Sequence, residues 1–281
     1  MANGGIIGQL NDPSTTLASG VWSLSEVASA RDQSKWPTGL FSLTGGTVTT
    51  VNGYRYHTFK SSGTLTVQNE QSVQECELLL VGGGGSGGWG QSYCGSGGGG
   101  GIVHSTNWRP AHGAQSIVVG GNSTAFGLTA LAGGGGGYGR QSWADYNRSS
   151  PGGNGGCGGT GYNAINGIST QVKSYVTSSG TATGYGNDAI SAAGGAGGTA
   201  GQGLTFSQFT QAGDPNALGT YCSGGDTSYP GGGNTGRDGD GHGYNAPANS
   251  GGGGAGGAGW IYNSRGGGYG GSGVFIIRYL I

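Results

Sequence analysis

The hydrophobic positions fall into a helical stretch, then an alternating one, and then a long zone where glycine interrupts any pattern. Near the N-terminus, Leu24, Val27, Ala28 and Arg31 share one face of a short helix. Ser23-Leu24-Ser25-Glu26 has the Ser-x-x-Glu spacing of a capping box, in which each side chain satisfies the other residue's backbone N–H. Trp22 before the cap and Val27 inside it would form the hydrophobic staple. Trp36-Pro37 ends the element, because a residue before proline disfavours the α region. A helix of about ten residues is too short to stand alone in water. It must dock on its own domain, on a sister subunit or on a larger assembly.

Residues 41–81 predict β structure. Val48–Val51, Tyr54–Lys60 and Thr64–Gln68 are short strands, with a hairpin turn at Asn52-Gly53 and a second turn at Ser62-Gly63. Thr64-Leu65-Thr66-Val67 alternates, so one face is apolar. Leu78-Leu79-Leu80-Val81 does not alternate, which predicts a strand covered on both faces. Ile102–Ser105, Ser116–Val119 and Thr124–Ala132 are further strands. The strongest strand signal is the last, Gly273–Ile281, expected to return beside Leu78–Val81 and close the domain.

Glycine changes this picture. It supplies 73 of 281 residues, in nearly pure blocks such as 82–88, 97–101, 133–137, 251–259 and 266–273. Glycine has no side chain to bury and loses the most entropy on ordering, so a conventional core is impossible there. Collagen is excluded by the absence of a Gly-X-Y period and by only seven prolines. A glycine run can instead form a left-handed threefold helix, rising about 3.1 Å per residue, whose main-chain groups point outward in three directions. Several such runs side by side can satisfy those groups laterally. The expected fold is mainly β with polyglycine II helices: a small β-sandwich closed by the C-terminal strand and topped by the glycine bundle. Residues 1–40 form an N-terminal attachment segment, and 41–281 the glycine-rich domain, with strands at about 48–81, 102–132 and 273–281 and the glycine block at about 82–273.

In this arrangement 82–88 leads away from the sheet and 95–101 returns. Residues 133–137 lead away and 152–161 return, Ala193–Gly203 leads away, and 251–259 and 266–273 form a last pair. The pattern assigns no path to 224–250. The turns between runs would gather Trp89, Tyr93, Trp143, Asp145, Tyr146, Arg148, Phe206, Phe209, Tyr221, Trp260 and Tyr262 at one tip. Rigid amphipathic rings give contact area at small entropy cost and suit a binding surface. Their other reading is as apolar caps that fasten loops over the bundle's open end.

Charge narrows the functions. Net charge is −1, with 11 basic and 12 acidic residues and no basic stripe, which argues against nucleic acid or anionic membrane as partners. The N-terminus shows neither a signal peptide nor a transmembrane segment. Cys76, Cys94, Cys157 and Cys222 include no Cys-x-x-Cys pair, so reduced thiols rather than a zinc site are expected. His57, His104, His112 and His242 are scattered, and Arg237-Asp238-Gly239-Asp240-Gly241-His242 is a single copy without a bidentate Glu. Gly-x-Gly-x-x-Gly matches are expected by chance here, and none joins a strand to a helix. Paired carboxylates for glycoside hydrolysis are lacking at the tip, where only Asp145, Asp214 and Asp226 occur. No enzyme, metal or cofactor is expected.

One ordered set of segments is familiar. Phe59–Val67, Leu78–Gly85, Ile117–Gly121 with Phe126-Gly127 and Ala132–Gly137, and Gly271–Tyr279 together resemble the glycine-rich domain of bacteriophage tail-fibre and adhesin proteins. Gly20–Leu24 with Trp36-Pro37 is similar to N-terminal segments of phage structural proteins. The resemblance implies a virion component made in the host cytoplasm, a tail-fibre or spike tip whose variable loops contact the host surface. The alternative is a capsid or tail decoration protein with a purely structural role. Partners would be other virion proteins, held through Trp22, Leu24, Val27 and Trp36, and a host surface glycan or outer-membrane protein. A homotrimer suits a fibre, although the chain contains no heptad to support one.

Overall fold

The structure is a computed structural model and describes residues 22–33, 41–68, 74–90, 94–138, 155–156, 167–186, 203–209, 220–222, 242–257 and 266–281. Helix α1 spans Leu24–Asp32. Its capping box is formed as expected: the Ser23 N–H donates to Glu26 Oε2 at 2.8 Å and the Glu26 N–H to Ser23 Oγ at 3.3 Å. The expected apolar face is not the buried one. Leu24 is 90% exposed, and Ala30, one turn beyond the half-buried Val27, is the buried residue. Leu24 occupies the first helical position, at the outer end of the capped turn, where its own helix does not cover it.

The strands are β1 (Ser42–Thr44), β2 (Thr47–Val51), β3 (Tyr54–Phe59), β4 (Gly63–Gln68), β5 (Cys76–Val81), β6 (Ile102–Trp108) and β7 (Gly113–Ile117). They continue with β8 (Ser123–Ala125), β9 (Leu128–Ala130), β10 (Ser174–Thr177), β11 (Gly180–Tyr185), β12 (Leu204–Thr205), β13 (Thr220–Tyr221) and β14 (Val274–Leu280). Seven of them make one antiparallel sheet in the order β10-β11-β6-β5-β14-β3-β2. As expected, the C-terminal strand pairs with β5, Phe275 opposite Leu80 and Ile277 opposite Leu78. Asn52 and Gly53 both have positive φ, 51° and 78°, the requirement of the tight β2–β3 hairpin.

The central strands of the sheet are buried on both faces. Leu78, Leu80, Phe275 and Ile277 point into one core, shared with Leu43, Leu65, Val67 and Ile117 of the three-stranded sheet β1-β4-β7 and with the β8–β9 hairpin. Leu79, Val81, Val274 and Ile276 point into a second core under Phe206, Phe209 and Tyr221. Central strands with two covered faces have no polar position to alternate with.

At Ser62-Gly63 the chain crosses between layers, because β3 and β4 lie in different sheets. One sequence expectation fails locally. Thr124–Ala132 is not one strand but the hairpin β8–β9, because Phe126 and Gly127 take φ of 53° and 77° and turn the chain.

Beyond β5 and β6 the sheet hands over to the glycine bundle. Gly82, Gly85 and Gly88 donate to Gly101, Gly98 and Gly95, so runs 82–88 and 94–101 are antiparallel and bond at every third residue. Gly84 and Gly87 donate to Gly271 and Gly268 on the other side. The strand order β6-β5-β14 thus continues as 94–101, 82–88 and 266–273, with the repeat changed from two residues to three. Run 131–137 bonds to 82–88 through Gly133 and Gly136, and run 251–257 does so through Gly254 and Gly257; both are parallel to it. These directions match the path expected from the order of the runs. Residues 242–247, which the sequence left unassigned, run parallel to 266–273 through Gly243→Gly266 and Ala246→Tyr269. Of the expected return 152–161 only Gly155 and Gly156 are described, the latter donating to Ala132. Apart from Gly203, the run Ala193–Gly203 lies outside the described residues.

At many inward positions the spacing admits only glycine, although Ser96 and Ala255 are buried in the runs as well. A Cβ on Gly84 would lie 1.9 Å from the Gly252 carbonyl oxygen, and one on Gly85 2.1 Å from that of Gly134.

Candidate binding surface

The four neighbours of run 82–88 are ordered around it. Run 131–137 bonds to 94–101, 94–101 to 251–257, and 251–257 to 266–273. Between the first and last of these, among the described residues, Gly120 and Gly121 cover the run at Gly83, and beyond that point it faces outward. Side chains recur on that open sector at every third position: Ser86 and Trp89 on the central run, Tyr138 after Gly135 on one flank, and Tyr269 and Ser272 on the other. All of these are exposed. The large side chains of these runs thus stand where the run meets solvent, whereas the positions that meet a neighbour are glycine or small residues such as Ser96 and Ala255. Tyr269, and Tyr244 on run 242–247, were missed as candidate surface residues. The signal that could have found Tyr269 is the spacing of single side chains three residues apart within glycine, as at Ser86 and Trp89 and again at Tyr269 and Ser272; Tyr244 carries no such mark.

At the end of the bundle away from the sheet, Trp89 and Tyr138 meet edge to face with ring centroids 5.4 Å apart. They are 44% and 45% exposed, so the pair covers the end of two parallel runs while leaving much ring surface in water. Of the residues expected at this tip, Trp89 is the described one that is exposed there. Tyr93, Trp143, Asp145, Tyr146, Arg148, Trp260 and Tyr262 lie outside the described residues, as does Trp36 of the attachment segment. The described residues that bracket the first and last turns, Gly90 and Cys94, and Gly257 and Gly266, stand at this same distal end.

Phe206, Phe209 and Tyr221 are not at the tip. They are buried against the sheet, over Tyr56, Leu79, Val81, Ile102 and Ile276. The turn expected to carry them outward after Ala193–Gly203 is instead, in its described parts, a strap held by the β12–β13 pairing. A polar cluster under the strap explains the placement. Glu77 on β5 accepts from His104 Nε2 at 2.8 Å, from Gln208 Nε2 at 2.8 Å and from Arg278 Nε at 2.8 Å. The Arg278 guanidinium lies 4.3 Å from the Tyr54 ring centroid and 5.6 Å from that of Phe209. The Tyr56 hydroxyl donates to the Gln208 carbonyl at 3.2 Å. Burial by itself would raise the Glu77 pKa, but the three donors and the Arg278 charge outweigh it and hold the carboxyl at about 2. These groups are spent on one another, and the cluster is a fastener rather than a reactive centre.

Among the described residues no three His, Cys, Asp or Glu side chains gather into a group that could hold a metal. No described helix is long and apolar enough to cross a membrane. Cys76, Cys94 and Cys222 are buried, and burial pushes the Cys76 thiol up to about 12. Cys157 lies outside the described residues.

A β-sandwich whose sheet runs on into a bundle of threefold glycine helices defines a glycine-rich structural domain. The family model of the glycine-rich domain matches residues 60–280, and the chain belongs to that family. No curated protein matches the chain.

Proposed function

We propose that this chain is a bacteriophage virion protein, a tail-fibre or spike tip that contacts the host cell surface and catalyses no reaction. The observation that carries this reading is the uncharged bundle whose outward positions display large aromatic side chains, Trp89 and Tyr138 at its far end. A block ordered by its own main chain holds such rings at little entropy cost on binding. The resemblance of its segments to phage adhesins supplies the biological context. Leu24, exposed on a helix too short to be stable alone, gives the N-terminal segment an apolar contact for a neighbouring virion protein. The receptor would be a host surface glycan or an outer-membrane protein.

Adsorption tests the proposal. Particles lacking the protein are expected to adsorb far more slowly to susceptible bacteria, and the purified chain to bind those cells saturably and block adsorption. Undiminished adsorption by the depleted particles would overturn the adhesin reading and leave a decoration role on the capsid or tail.

A further inference from the structure

We infer that the open flank of the glycine bundle is a binding face for a neutral, extended polysaccharide strand, stacked on Trp89 and Tyr269. The inference rests on the adhesin reading for the source of the glycan, but it places a contact along the side of the bundle rather than in the distal turns.

The face is built by register. Gly84→Gly271 and Gly87→Gly268 set Ser86 level with Tyr269, and Trp89 level with Gly266. Gly133→Gly83 and Gly136→Ser86 set Tyr138 beside Trp89. Trp89 and Tyr269 thus stand on adjacent runs, offset along the axis by three residues, or about 9 Å at the rise of a threefold glycine helix. Consecutive sugar units of an extended chain can bridge such an offset, each presenting a C–H face to a ring. Tyr269 is 74% exposed and Trp89 44%, so both rings offer free surface.

Between the rings lie polar groups rather than apolar side chains. The Ser86 side chain is exposed on the central run, level with Tyr269 and three residues before Trp89, and the main chain around it is glycine. The rings are therefore separated by hydrogen-bonding surface, unlike the continuous apolar centre of a protein interface. Alternating ring and hydroxyl or amide suits a sugar chain, whose C–H faces and hydroxyls alternate in the same way. Charge selects further. The described bundle residues 82–90, 94–101, 131–138, 242–257 and 266–273 contain no Asp, Glu, Lys or Arg. An ionic polymer would leave its hydration for no countercharge, whereas a neutral glycan has no such cost.

Retention of the purified chain on an array of neutral polysaccharides (cellulose, chitin, dextran, mannan and a galactan), with heparin as the charged comparison, tests this. The expected result is salt-insensitive retention on at least one neutral polymer. Trp89→Ala and Tyr269→Ala should each weaken it by about tenfold or more. Tyr244→Ala, on a run that does not border the open sector, should leave it unchanged. Trp89→Phe keeps a flat ring and should retain most binding, which guards against an alanine variant that misfolds. Retention on none of the neutral polymers, retention on heparin alone, or retention indifferent to both alanine changes would overturn the inference. Self-association lost on Tyr269→Ala, with no glycan retention, would overturn it in favour of a second copy as the occupant. Cell binding that survives both changes would sink the flank site and leave the adhesin reading intact. Absence of cell binding by the unaltered chain would sink that reading, while the array still decides the flank.

Discussion

In β5, Leu78 and Leu80 pack to one side of the sheet and Leu79 and Val81 to the other; three residues on, Gly84 and Gly85 have nothing to pack and lie closer to their neighbours than any side chain would allow. The same three chain segments run through both regions in the same antiparallel order. A pleated strand directs its hydrogen bonds within one plane and needs side chains to cover its faces. A threefold glycine helix directs them three ways, so further runs join above and below and cover it with main chain. The sheet is stabilised by burial of apolar area, about 25 cal/mol per Å². The bundle relies on many lateral hydrogen bonds worth about 0.5–1.5 kcal/mol each. Such bonds offset the ordering cost only when nearly all groups are paired, as runs 82–88 and 94–101 approach.

The sharpest way to break this contrast is a methyl group. Gly84→Ala sets a Cβ 1.9 Å from a backbone oxygen that no rotamer change can move. The expected loss exceeds about 3 kcal/mol, with rapid hydrogen exchange across 82–88 and 251–257 while β5 and β14 stay protected. Loss of less than about 1 kcal/mol, or fast exchange at 82–88 in the unaltered protein, would show that main-chain packing does not hold the bundle.

Next in size is Glu77→Ala, which leaves Arg278 buried without its carboxylate and should cost about 3–5 kcal/mol at neutral pH. Because folding depresses the Glu77 pKa from the usual 4.5 to about 2, its contribution is full above pH 4.5 and is lost as the pH falls through about 2. Denaturation curves for the variant and the unaltered protein should therefore converge over that window. Parallel curves would mean that the strap is held by Phe206 and Phe209 alone. The smallest effect is expected at Gly135→Ala, on the outward face, where a Cβ finds its nearest neighbour at 3.9 Å. Its stability should change by no more than about 0.5 kcal/mol, measured by thermal melting.

The capping box at Ser23 and Glu26, the Asn52-Gly53 turn and the twofold burial of Leu78–Val81 were legible because each depends on a few adjacent residues; the return of the C-terminal strand, a long-range pairing, was legible because both partners are unbroken apolar runs at the two ends of the glycine zone. The fate of Phe206, Phe209 and Tyr221 was not. Their neighbours on the sheet, Glu77, His104 and Arg278, are distant in sequence, and a turn rich in aromatics looks the same whether it projects or folds back. Of the residues assigned to the tip, Trp89 directly follows an outgoing run and is exposed at its far end.

By itself the sequence determined that large side chains would be missing from the interior of the glycine runs, such as 82–88 and 251–257, and that main-chain hydrogen bonding had to replace them, because composition limits what can be buried. Only the tertiary structure decided which run lies against which, and so which third residue faces water. That choice belongs to the lateral bonds between distant segments, and glycine, being the same at every position, carries no local mark of it.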